Sequence, residues 1–162
     1  MAQINSTLEA RLEHLEAVEE IRDLIADLAR AFDGGPSDAL LHPLFTDDAL
    51  FKIDRYGVLV GAAAISAGVA ANAERGFRWT LHYLVSPRIQ RERGSNRASI
   101  EFMLFEMATA ASGKAYWIAG KYMAEAVRQA GAWRFSRLEL RADLISHYAQ
   151  GWSAKPESLM DA

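Results

Sequence analysis

The chain has 162 residues, of which 51% are hydrophobic and 24% charged, with a formal net charge of −3 and no cysteine. That is the size and balance of one globular domain able to bury a core without disulfides or a structural metal. The absence of cysteine excludes thiol catalysis and thiolate metal sites. Charges of both signs are mixed along the chain, leaving no basic stripe for nucleic acid and no polybasic run for anionic lipid.

From Leu8 the apolar residues Leu8, Leu12, Leu15, Val18, Ile21, Ile25, Leu28 and Phe32 recur every three or four positions, which predicts an amphipathic helix. Ser6 followed by Glu9 reads as its capping box, and Gly34-Gly35 as its left-handed C-terminal cap. A second, short helix is expected from about Ser37 to Phe45, capped by Ser37 and limited by Pro43. Thr46-Asp47-Asp48 reads as a solvated turn. Ala49 to Ile53 and Val58 to Val60 read as short strands joined through Arg55-Tyr56-Gly57, and Ala62 to Ala73 as a third helix after Gly61.

The character then changes. Four long β-rich segments, about 78–90, 98–108, 115–128 and 132–145, are separated by Arg93-Gly94-Ser95-Asn96, Ala111-Ser112-Gly113-Lys114 and Gln129-Ala130-Gly131. Short connections pair strands antiparallel, so a four-stranded meander is expected. Helices first and a long curved sheet afterwards predict an α+β fold, a cone-shaped barrel whose interior is the natural ligand cavity. The chain reads as a single domain with its core over about 8–146 and a tail from His147 carrying Trp152 and Pro156.

Two residues at the ends of predicted elements carry the chemistry. Asp33 closes the first helix and His82 lies on the strand after the third, a candidate general-base pair in which the carboxylate fixes the imidazole tautomer and raises its basicity. Read alone, Asp33 also fits an Asp-Gly turn, at a helix end whose dipole disfavours a carboxylate, and His82 fits a structural strand histidine. His14, His42 and His147 are poorer candidates: the first falls on a charged helix face, the second precedes a proline, and the third reaches a cavity only from the tail. No His-x-x-x-His or Glu-x-x-His spacing suggests a metal site, no glycine-rich loop seats a nucleotide, and no Gly-x-Ser-x-Gly elbow serves acyl chemistry.

Taken in order, Ile21-Arg22-Asp23-Leu24 with Phe32-Asp33-Gly34, then Leu44-Phe45-Thr46-Asp47-Asp48-Ala49, Gly61, Leu81-His82-Tyr83, Gly120-Lys121-Tyr122 and Gly131-Ala132-Trp133-Arg134 resemble the SnoaL-like branch of the nuclear-transport-factor-2-like superfamily. The resemblance covers nearly everything from Leu12 to Ile145, and within that superfamily the chain is similar to the hexachlorocyclohexane dehydrochlorinase, scytalone dehydratase and bile-acid 7α-dehydratase groups. It implies that His82 removes a substrate proton, that Asp33 orients it, and that no metal or organic cofactor is used. Those groups tend to carry a tyrosine or lysine on the first helix before the aspartate. Here that position is Leu28, so assistance to the leaving group is missing or comes from elsewhere, with Tyr56, Tyr83, Tyr116 and Tyr122 as available hydroxyls.

The second of the four β-rich segments is apolar on both faces, Ile100, Phe102 and Leu104 alternating with Met103, Phe105 and Met107. One face should line the cavity and the other bury a subunit interface, which predicts a homodimer or homotrimer. Leu28, Tyr56, Met103, Phe105 and Tyr122 are the expected substrate-binding residues. The expected activity is a lyase-like elimination of water or halide from a small apolar cyclic substrate, with isomerisation or cyclisation open to the same residues. The alternatives are a non-catalytic β subunit of an aromatic-ring-hydroxylating dioxygenase and a small-ligand binding protein. The opening Met1-Ala2-Gln3-Ile4 lacks the features of a secretory signal and no apolar run spans a bilayer, so a cytoplasmic location without membrane partners is expected.

Overall fold

The computed structural model describes residues 2–54 and 56–149. Helix α1 (Ala2–Asp33) is followed by α2 (Asp38–Leu41), a 3₁₀ turn (His42–Leu44), strands β1 (Phe45–Ile53) and β2 (Gly57–Val60), and helix α3 (Ala62–Arg75). Four long strands complete the chain: β3 (Phe77–Gln90), β4 (Arg97–Ala110), β5 (Ala115–Gln129) and β6 (Ala132–Tyr148). They form one six-stranded sheet in the order β2-β1-β6-β5-β4-β3. The expected meander is present as β3 to β6, and β1 joins it parallel to β6, which makes the sheet mixed. This is the α+β arrangement expected, helices packed on one large, mainly antiparallel sheet.

Three local expectations differ. Helix α1 begins at Ala2, so Ser6 lies inside it and is not its cap. Ser37 stands at the N-cap of α2 in extended conformation but makes no side-chain cap hydrogen bond, and α2 is a single turn that tightens into the 3₁₀ turn at Pro43. Thr46-Asp47-Asp48 belongs to β1 instead of a turn: Phe45 and Thr46 are buried and Phe45 already pairs with Phe135 of β6, so parallel pairing overrides the local turn chemistry. The tail with Trp152 and Pro156 lies outside the described residues.

The core lies between α1 and the concave face of the sheet. Ile21, Leu24, Ile25, Leu28, Ala31 and Phe32 pack against Phe45, Phe51, Phe102, Leu104, Tyr122, Phe135 and Leu138. The burial stripe begins at Ala17. Leu8, Leu12 and Leu15 obey the same helical period but remain exposed, so periodicity alone overstated the packed length. The axial position of α1 is held by Arg91, whose buried guanidinium pairs with both carboxylate oxygens of Glu13 and lies 5.7 Å over the Trp133 ring. At the other end Gly35 takes φ +83°, the left-handed stop expected there.

Candidate active site

Asp33 is the last residue of α1, where unpaired carbonyls make the helix end negative and a carboxylate unfavourable. Strand β3 offsets this with three donors. The backbone N–H of His82 donates to Asp33 Oδ2 at 2.9 Å, and the Thr80 hydroxyl donates to Oδ1 at 3.1 Å. His82 Nδ1 lies 2.7 Å from Oδ1. Burial by itself would raise the Asp33 carboxyl, but these hydrogen bonds outweigh it and hold the group below its ordinary range. With Nδ1–H committed to Asp33, the tautomer is fixed and Nε2 is left with its lone pair. The Phe32 ring, 5.1 Å from the imidazole, closes one side.

Nε2 points toward a third group that the sequence did not disclose. Glu106 pairs with His82 across the β3–β4 ladder, and its Oε2 lies 3.4 Å from Nε2, just beyond a normal hydrogen bond. Its side chain is 9% exposed and that of His82 10%. Burial pushes the Glu106 carboxyl up; the His82 ring opposes this and the Asp33 charge adds to it. The result is a line of carboxylate, imidazole and carboxyl.

A β-bulge makes this line. Near the hairpin Ile89 pairs with Ile100 and Arg88 with Glu101, but beyond the shift Val85 pairs with Met103 and His82 with Glu106. Ser86 and Pro87 together face one residue, and Ser86 takes φ +54°. Carried on without that extra residue, the first register would set His82 opposite Met107 and turn the imidazole to the outer face, away from Glu106. Pro87 within a strand was the available sign of a bulge.

The same registers sort the expected lining residues. Phe102, Leu104 and Glu106 face inward with Gly120 and Tyr122 of β5 opposite, so Met103 and Phe105 lie on the outer face, reversing the expectation for them. Tyr122 is inward and buried, its ring 5.0 Å from Phe102, and burial raises its hydroxyl so that it stays neutral. Leu28 is inward on α1 and fully buried in the core. Tyr56 stands exposed in the β1–β2 turn, with no part in the site. Asp33, His82 and Leu84 border a solvent-open recess of about 670 Å³ between the end of α1 and β3, with Ala26, Ala29 and Arg30 on the helix side.

Across the sheet, the rung containing His82 and Glu106 continues through Ile118 to the half-exposed Ile145, and the next runs Thr80, Ala108, Tyr116, His147. The rings of Tyr116 and His147 lie 5.6 Å apart. His42 instead pairs with Asp38 on the surface. Among the described residues no group of three or more histidine and carboxylate side chains is arranged to hold a metal ion, and no helix is long and apolar enough to cross a membrane.

A family model of the SnoaL-like domain matches residues 13–139. The chain belongs to the SnoaL-like family. No curated protein matches it in sequence. Among solved structures it is similar to LinA at 22% identity, with 91% of this chain and 99% of that one covered and a TM-score of 0.83. It is similar to the hexachlorocyclohexane dehydrochlorinase LinA-type3 of Novosphingobium barchaimii LL02 at 21% identity, covering 90% and 99%, with a TM-score of 0.80. A scytalone-dehydratase-like protein of Novosphingobium aromaticivorans shares 20% identity over 87% and 91%, with a TM-score of 0.73. These likenesses show that the SnoaL-like chain shares the fold of those proteins.

Proposed function

We propose that this SnoaL-like protein is a lyase that removes water or halide from a small, mainly apolar cyclic substrate through the acid–base chemistry of its own side chains. His82 Nε2 takes the proton and Asp33 orients the imidazole and stabilises the imidazolium. The observation that carries this reading is the 2.7 Å contact of Nδ1 with a carboxylate clamped by two further donors, which leaves Nε2 directed at the interior. Such a base contributes about 10²–10⁴ in rate, which suffices only where the proton is already acidified or the leaving group is allylic or vinylogous. The names of the dehydrochlorinase and dehydratase-like neighbours agree with elimination.

A dioxygenase β subunit or a passive binder needs no such line. Burying the Glu106 carboxyl beside the imidazole costs stability, and a reaction that moves protons gives the arrangement a use. We further propose that the outer sheet face is a subunit interface between copies of this chain. The test of the activity is a turnover screen of cyclic alcohols and halides with wild type, His82→Ala and Asp33→Asn. Elimination by wild type and a loss of about 10²-fold or more in both folded variants is expected. Ligand binding with no turnover would overturn the lyase reading.

A further inference from the structure

Proton abstraction by His82 is half of a dehydration. Hydroxide is too basic to depart unaided, so an oxygen leaving group must be protonated as its carbon–oxygen bond breaks, whereas a halide needs no donor. The first helix offers none, since Leu28 is fully buried hydrocarbon. Glu106 stands opposite His82 on the inner face, its Oε2 3.4 Å from Nε2, and among the described residues no arginine or lysine pairs with it. The groups facing it are the His82 imidazole from β3, the Asp33 carboxylate beyond that ring from α1, and from β5 the neutral Tyr122 hydroxyl, on which its charge acts. The rung continues into apolar Ile118, packed against the core, and the half-exposed Ile145.

Resting on the lyase reading above, we infer that Glu106 is the proton donor to an oxygen leaving group and that the reaction is a syn dehydration of a small ring bearing a hydroxyl β to an acidified C–H. The C–H bond breaks and its proton goes to His82 Nε2. The electron pair becomes the new C=C bond. The C–O bond breaks toward oxygen, which takes the Glu106 carboxyl proton and leaves as water. The imidazolium then returns its proton to the Glu106 carboxylate across the 3.4 Å gap, so both groups are reset and the balance is substrate to alkene plus water. Base and acid lie side by side, so the proton and the hydroxyl must leave from one face of the ring. Burial of Glu106 favours its neutral form, the form a proton donor needs.

The test has two independent arms. In protein labelled with ¹³C at glutamate carboxyls, the signal absent from Glu106→Gln should titrate above the ordinary value of 4.5; titration at or below it overturns the assignment whatever the activity. The second arm compares 3-hydroxycyclohexanone with 3-(4-nitrophenoxy)cyclohexanone, whose aryloxide leaves without protonation. Glu106→Gln should slow loss of water by about 10²–10⁴-fold and loss of nitrophenoxide far less, while His82→Ala slows both. Equal losses in Glu106→Gln would overturn the donor role and leave the lyase reading standing; wild type inert toward both would overturn the lyase reading and this assignment with it. With 2-deuterio-3-hydroxycyclohexanone, the deuterium cis to the hydroxyl should be removed, and loss of the trans deuterium overturns the syn geometry.

Discussion

Asp33 and Glu106 are carboxyls on either side of one imidazole, and their surroundings drive them in opposite directions, the arrangement that separates a base partner from an acid. The consequences for stability have opposite signs. Asp33 is lowered on folding, so its contribution is present above its ordinary value of 3.8 and is lost as pH falls through the depressed folded value. Glu106 is raised, so its contribution is present below its ordinary value of 4.5 and is lost as pH rises through the folded value. Asp33→Asn should therefore cost about 1–3 kcal/mol at neutral pH, and the gap to wild type should close on acidification. Glu106→Gln should be at least as stable as wild type at neutral pH and lose that advantage below pH 4.5. Thermal unfolding by circular dichroism across pH checks both; a Glu106→Gln variant less stable at neutral pH than at acid pH, relative to wild type, would contradict the buried neutral acid. Asp33 and His82 were legible in the sequence because each ends or follows a strongly patterned element. Glu106 was not, because a strand apolar on both faces does not say which face is inward, and its meeting with His82 depends on one extra residue in the neighbouring strand.

Elements were legible where the pattern is local. The stop of α1 at Asp33, the third helix and all four long strands follow from period and turn chemistry. What escaped were features made by pairing at a distance: β1 extending back through Asp47-Asp48 along β6, and the bulges that set registers. The second of these lies where Ala119 pairs with Leu144 but Gly120 with Ala142. It brings the Arg141 carbonyl to 2.2 Å from where a Cβ on residue 120 would stand, so only glycine fits against that backbone. Gly120→Ala should destabilise by about 1–3 kcal/mol, seen as a lower urea midpoint at constant m-value. Gly113→Ala is the control, because its φ of +83° strains alanine but nothing lies within 4 Å of the added carbon. It should cost about 1 kcal/mol. A Gly120 variant no worse than the Gly113 control would mean that the sheet moves freely at the bulge.

At the scale of the whole molecule, the fold class followed from helices preceding strands, but which apolar face turned inward did not, and that choice decides what the protein does with its surface. With Phe102, Leu104 and Tyr122 inside, the convex face carries Trp79, Tyr83, Val85, Met103, Phe105 and Met123 half-exposed across three adjacent strands. Phe105 already stacks on Trp117 at 5.2 Å, so the patch is preassembled and its ordering entropy is largely spent before any partner arrives. A contiguous apolar surface of this kind is unfavourable in a monomer, and a self-complementary patch on a sheet is the simplest route to a closed assembly. The protein should therefore run at two or three times its chain mass of 17.9 kDa in light scattering. Phe105→Glu places a charge at the centre of the patch without touching Asp33, His82 or Glu106, since it points to the opposite face, and should shift the population to monomer while preserving the far-ultraviolet circular dichroism. A wild type that stays at 17.9 kDa under all concentrations would show that the face is left to water. A Phe105→Glu variant that still assembles would move the interface to the exposed Leu8, Leu12 and Leu15 stripe of α1, where the same substitution at Leu12 would then have to dissociate it.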